Sequence, residues 1–157
     1  MNPTLTRSRD AKVELLASIP LFAGLSPGNL HEVASLADEL TLAAGTPLTV
    51  EGRRGHETFV LVDGAAEVRR NGRVVDSLGP GDLVGELAVL GGGVRTATVV
   101  TTERTRLLVL TGRDFREVVR RMPALSSALL ATVAARVSAV VRDDARAPSG
   151  ARRARGT

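Results

Sequence analysis

The sequence predicts an α+β, mainly β domain: an eight-stranded antiparallel β-roll or jelly roll, with N-terminal helices and two C-terminal helices. Three observations predict it. Apolar residues recur at helical spacing only toward the two ends of the chain. From about Glu39 to Thr111 the chain instead breaks into short β-branched runs separated by glycine-bearing turns. No helix of crossover length fits between those runs, which argues against a parallel sheet and for an antiparallel roll or barrel.

Each element follows from its own residues. Residues 1–9 are polar and expected to be flexible, and the folded domain is expected over residues 10–142. From Asp10 to Ile19, the apolar Val13, Leu15, Leu16 and Ile19 predict a short amphipathic helix. Ser26-Pro27 is an N-cap followed by proline at the first helical position. The helix it opens runs to about Ala37 and turns Leu30, Val33, Ala34 and Ala37 inward. The candidate strands are Leu40–Ala43, Pro47–Glu51, Thr58–Val62, Ala65–Arg70, Arg73–Leu78, Leu83–Val84, Ala97–Thr101 and Arg106–Leu110. Between two of them, Asn71-Gly72 is the signature of a two-residue type I′ hairpin. Thr111 and Asp114 are spaced as a capping pair ahead of Phe115, Val118 and Val119. Pro123 ends that helix and fits the first turn of the next, which runs from about Ala124 to Arg142. Along it Leu130, Val133, Val137 and Val140 form a stripe that packs on the roll or on a second copy of the chain.

Composition narrows the function. The 157 residues hold one domain, and an apolar content of 43% is ample for a packed core. Only three Phe and no Trp or Tyr are present, so Val, Leu and Ala are expected to build that core. With no Cys, disulfides and thiolate metal sites are excluded. His31 and His56 stand far apart without paired acidic spacing, so neither a metal site nor a nucleophile–base pair is expected, and the chain does not read as an enzyme. No apolar run is long enough to span a bilayer and no signal-peptide core opens the chain, so a cytoplasmic protein without membrane contact is expected. The net charge of +4 is carried almost wholly by arginine. Arg142, Arg146, Arg152, Arg153 and Arg155 crowd the end, and residues 143–157 read as a disordered, arginine-rich tail.

The chemistry concentrates between Gly79 and Val99. The turn Gly79-Pro80-Gly81-Asp82 leads into Gly85-Glu86, and the apolar stretch to Leu90 has room for one helical turn. The start of such a turn offers unpaired backbone N–H groups to an anion. After the loop Gly91-Gly92-Gly93-Val94 comes Arg95, a permanently charged fork suited to phosphate oxygens. Glu86 accepts hydrogen bonds only, which suits a ligand hydroxyl. A sugar phosphate meets both demands.

The segment Gly85-Glu86-Leu87-Ala88 followed by Arg95-Thr96-Ala97-Thr98-Val99 resembles the phosphate-binding cassette of the cyclic-nucleotide-binding domain family, the family of bacterial catabolite activators and protein kinase A regulatory subunits. Glu51-Gly52, Gly55, Phe59-Val60-Leu61-Val62, Gly64 and Gly81-Asp82 resemble the family's glycine-punctuated strands, and the likeness covers roughly residues 18–142. The resemblance implies cAMP as ligand, with cGMP open as the alternative. It implies that Glu86 accepts from the ribose 2′-hydroxyl, that the N–H groups of Leu87 and Ala88 face the cyclic phosphate, and that Arg95 pairs with its charge. Thr96 then donates to a phosphate oxygen or to guanine, Gly85 allows close approach, and Val68, Val75 and Leu78 form an apolar wall. Arg136, in the final helix, falls where the bacterial activator reaches the purine.

Departures from the pattern bear on specificity. The cassette lacks the family's proline before Arg95, and His56 stands where an acidic residue is frequent. Val140 and Val141 replace hydroxyl side chains that face adenine in the bacterial activator. The implied protein is a stand-alone sensor whose ligand shifts the final helix. Its partners are the nucleotide, a second copy through that helix, or a protein effector. The alternative is an interaction module that kept the roll and lost nucleotide binding. The family often appends a DNA-binding domain, but residues 143–157 hold no recognition helix, so sequence-specific DNA binding is not expected.

Overall fold

The computed structural model describes residues 9–85, 92–135 and 138. Helix α1 spans Arg9–Ala17 and α2 spans Pro27–Leu36. The Ser26 hydroxyl accepts from the backbone N–H of Asn29 at 3.2 Å, with Pro27 opening the helix as its spacing predicts. Leu30, Val33 and Ala34 turn inward. The Lys12 ammonium donates to the Ala37 carbonyl at 2.7 Å and ties α1 to the end of α2.

Eight strands follow: β1 Asp38–Leu42, β2 Pro47–Thr49, β3 Glu57–Asp63, β4 Ala66–Arg70, β5 Arg73–Leu78, β6 Leu83–Val84, β7 Thr98–Thr101 and β8 Thr105–Thr111. They form two antiparallel sheets, ordered β1-β8-β3-β6 and β2-β7-β4-β5. The β4–β5 hairpin closes through Asn71 and Gly72 at φ 54° and 76°, the left-handed pair that a type I′ turn demands. Val68 pairs with Asp76 and Arg69 with Val74, so Val75 is the extra residue of a bulge.

The sheets differ in how they are buried, and the sequence shows why. Thr58, Phe59, Val60 and Leu61 of β3 are all buried, because the first sheet is covered on both faces. Phe59, Leu61 and Leu107 look into the roll, where they meet Val68, Leu78, Val84, Ala97 and Val99. Val60, Leu83, Leu108 and Leu110 face the other way, against the helices, with Phe22, Val33, Phe115 and Leu125. The second sheet has a wet outer side, and β4 accordingly alternates buried Ala66 and Val68 with Glu67 and Arg69. Aliphatic residues do build most of the core, but Phe22 and Phe115 sit at the centre of the helix-side cluster, each 0% exposed. All three Phe of the chain, Phe22, Phe59 and Phe115, are buried.

Helix α3 spans Gly112–Arg121, and the Thr111 hydroxyl accepts from the Asp114 N–H at 3.1 Å, as the capping pair predicts. Thr111→Ala is therefore expected to lower stability by about 1 kcal/mol, read as a reduced urea midpoint at constant slope. A midpoint equal to that of the parent protein would show that the cap is not the helix's anchor. At Met122 and Pro123 the chain turns by 115° into α4, Pro123–Ala135. Leu125 and Leu129 fix the inward face of α4, and Val133 packs partly against the same core. Leu130, one residue on from Leu129, is 71% exposed. Of the expected stripe, then, Val133 packs on the core and Leu130 faces outward, while Val137 and Val140 lie outside the described residues. Among the described residues, no single helix is long and apolar enough to cross a membrane.

Candidate functional site

The site forms where two stretches of irregular backbone zip together at the end of the roll. Gly55 donates to the Gly93 carbonyl at 2.9 Å, Arg95 to the Arg53 carbonyl at 2.8 Å, and Gly52 to the Arg95 carbonyl at 2.9 Å. Arg54 and Val94 face each other across this ribbon as an antiparallel bridge. The ribbon fixes the Arg95 backbone and sends its side chain inward, where the residue is only 5% exposed. Its Nη2 donates to the Glu57 carbonyl at 2.9 Å and its Nη1 to the Gly85 carbonyl at 3.3 Å. Glu57 opens β3 and Gly85 directly follows β6, and these strands pair through Phe59–Val84 and Val60–Leu83. The guanidinium therefore spans the ends of two paired strands.

Two glycines make room for it. A β-carbon on Gly55 would lie 2.0 Å from Arg95 Nε, and one on Gly85 would lie 2.5 Å from Nη1 and 2.7 Å from the Glu57 carbonyl. Gly85 also has φ +92°, a conformation that other residues rarely take. The turn into β6 is ordered by Asp82, whose carboxylate accepts from the Gly79 N–H at 2.8 Å. Main-chain bonds from Gly81 to Leu61 at 2.7 Å and from Leu61 to Asp82 at 2.9 Å extend the β3–β6 ladder up to this turn. Burying a permanent charge is costly unless its N–H groups are satisfied. The Glu57 and Gly85 carbonyls each accept one of those N–H groups.

The other predicted residues divide into three groups. Val68 and Leu78 are buried and Val75 half-buried in the cluster inside the roll. That cluster also contains Val84 and Ala97, which lie one residue before Gly85 and two after Arg95. The fold thus brings the apolar wall, Gly85 and Arg95 to the same end of the roll. Thr96 is exposed beside Arg95, whereas the Thr98 hydroxyl accepts from the Glu51 N–H at 2.9 Å and serves the strand. Glu86, Leu87, Ala88 and Arg136 lie outside the described residues.

Sequence reasoning missed the Glu57 and Gly85 carbonyls as partners of Arg95, because backbone acceptors leave no mark in residue identity. Gly55 was visible in the sequence as one of the glycines that punctuate the strands, and not as a neighbour of Arg95. Among the described residues, no group of three or more His, Asp or Glu side chains is placed to hold a metal ion. A separate cavity of about 180 Å³ lies beside the end of α1, lined by Leu15, Ile19, Val62, Asp63, Pro80 and Arg106 among others. Among the described residues, none of the predicted site residues lines it.

Two four-stranded antiparallel sheets closed over an apolar interior, with helices before and after them, define a jelly-roll domain, here with a buried arginine at its mouth. The chain belongs to the cyclic nucleotide-binding domain family, whose sequence model matches residues 39–122, more than half of its length. It is 32% identical over 123 residues to the cyclic AMP receptor protein of Thermus thermophilus, covering 75% of this chain and 57% of that one. It is 38% identical over 118 residues to the cAMP-dependent protein kinase regulatory subunit of Mycosarcoma maydis, covering 69% of this chain and 22% of the relative. Among solved structures, the Thermus thermophilus catabolite activator protein superposes with a TM-score of 0.69 at 30% identity, over 82% of this chain and 63% of that one. The chain thus spans little more than half of the first relative and under a quarter of the second.

Proposed function

We propose that this chain is a cyclic-nucleotide sensor whose preferred ligand is cAMP. Arg95 pairs with the cyclic phosphate, Glu86 accepts from the ribose 2′-hydroxyl, and the Leu87 and Ala88 N–H groups point at the phosphate oxygens. Thr96 adds a hydroxyl at the phosphate or base, Gly85 lets the ligand approach the backbone, and Val68, Val75 and Leu78 face the sugar and base. Arg136 reaches the purine from the final helix. The observation that carries this reading is the burial of Arg95, at 5% exposure, with its head group held by the Glu57 and Gly85 carbonyls. A guanidinium buried next to a glycine turn is a charged fork suited to an anionic ligand.

The role is regulatory rather than catalytic, in keeping with relatives that are a receptor protein and a kinase regulatory subunit. Binding acts by favouring one arrangement of the final helix over another, in proportion to the ligand's affinity for each. The signal passes through α4, whose Leu130 faces outward, to a second copy of the chain or to a protein effector in the cytoplasm.

Calorimetry with cAMP and cGMP tests the reading, with oligomeric state followed in parallel by sedimentation. Saturable heat with cAMP, accompanied by a change in sedimentation or in α4 protection, is the expected result. No heat from either nucleotide at millimolar concentration would overturn it and leave an interaction module that keeps the roll without the ligand.

A further inference from the structure

We propose that Gly55 is a positioning residue for Arg95, and that the bare backbone there sets how tightly the site holds a cyclic phosphate; this rests on the cyclic-nucleotide reading of the site. A β-carbon at residue 55 would fall 2.0 Å from Arg95 Nε, 2.4 Å from Cζ and 2.5 Å from Nη2. Three atoms of the head group therefore occupy the space where any other residue begins its side chain. Gly55 cannot back away, because its N–H is bonded to the Gly93 carbonyl at 2.9 Å and its neighbour Arg54 is bridged to Val94. The arginine must yield instead. Only the side chain can give without moving the ribbon, so the clash is expected to break the Nη2 bond to the Glu57 carbonyl.

Gly55 separates this effect from backbone strain, whereas Gly85 does not. Gly85 has φ +92° and a β-carbon there would also strike the Glu57 carbonyl at 2.7 Å, so a substitution strains the main chain as well. Gly55 is not among the residues with positive φ, and the three nearest atoms to its missing β-carbon all belong to Arg95. Alanine at 55 therefore meets the Arg95 head group before anything else.

The experiment is a double-mutant cycle on the full chain with Gly55→Ala, Arg95→Ala and the pair. Calorimetry uses cAMP, and thermal melting is recorded without ligand. Gly55→Ala is expected to weaken cAMP binding by about tenfold or more. In the Arg95→Ala background the same change should cost nothing further, since the group it displaces is gone. Parental affinity in Gly55→Ala, or losses that multiply in the double variant, would overturn the assignment. If Gly55→Ala alone does not fold, the double variant decides: melting like Arg95→Ala supports the proposal, and failure to fold refutes it. If the parent binds neither nucleotide, the binding reading fails by itself. The melting cycle then decides the positioning role, with coupling between the two substitutions supporting it and additivity refuting it.

Discussion

Replacing Arg95 with alanine is expected to weaken cyclic-nucleotide binding by about 1.5–3 kcal/mol, a loss of about 10- to 150-fold in Kd. The size follows from the type of contact. Hydrogen bonds to a charged group are roughly twice as strong as neutral ones, and exclusion of water keeps them from being screened. Arg95→Lys keeps the charge but loses the fork that meets the Glu57 and Gly85 carbonyls together. It should therefore fall between the parent and the alanine variant. Titration calorimetry reads both variants, and unchanged affinity in Arg95→Ala would remove the central residue from the site.

Phe22→Ala is expected to cost about 3–5 kcal/mol of folding stability. Phe22 is 0% exposed and belongs to the cluster that joins both terminal helical regions to the first sheet. Its backbone is fixed on either side, with its N–H donating to the Ile19 carbonyl at 2.9 Å and its carbonyl accepting from Leu25 at 3.1 Å, so the site is poorly able to collapse around a void. Domains of this kind are stable by about 5–15 kcal/mol in total, and a loss of that size takes a large share of it. Urea denaturation measures the change. A loss below about 1 kcal/mol would contradict the packing, since truncating a buried ring costs more than that even where neighbours relax.

Much of the fold was legible because its punctuation is local. The strands Arg73–Leu78 and Leu83–Val84 begin and end where the sequence places them, since Asn71-Gly72 and Gly79-Pro80-Gly81-Asp82 are turns by their own chemistry. Strands bounded by their partners were read less well. β1 begins at Asp38 rather than Leu40 because Asp38 and Glu39 pair with Val109 and Leu108. No side chain announces such a pairing. The bulge at Val75 escaped notice for the same reason.

The candidate site divides along the same line. Arg95 was recognisable from its charge and from the residues around it, and the structure sends it inward. Main chain helps to hold it there, through the Glu57 and Gly85 carbonyls and the space above Gly55. A reading confined to side chains sees the fork and not its socket.

The first sheet serves as a party wall. Phe59 and Leu61 furnish one room while Val60 furnishes the other, and along β8 Leu107 is set against Leu108 and Leu110 in the same way. Neither room can be emptied while its neighbour stays furnished, for stripping either bares one side of the same two strands. The roll and the helices packed on its first sheet are accordingly expected to melt together.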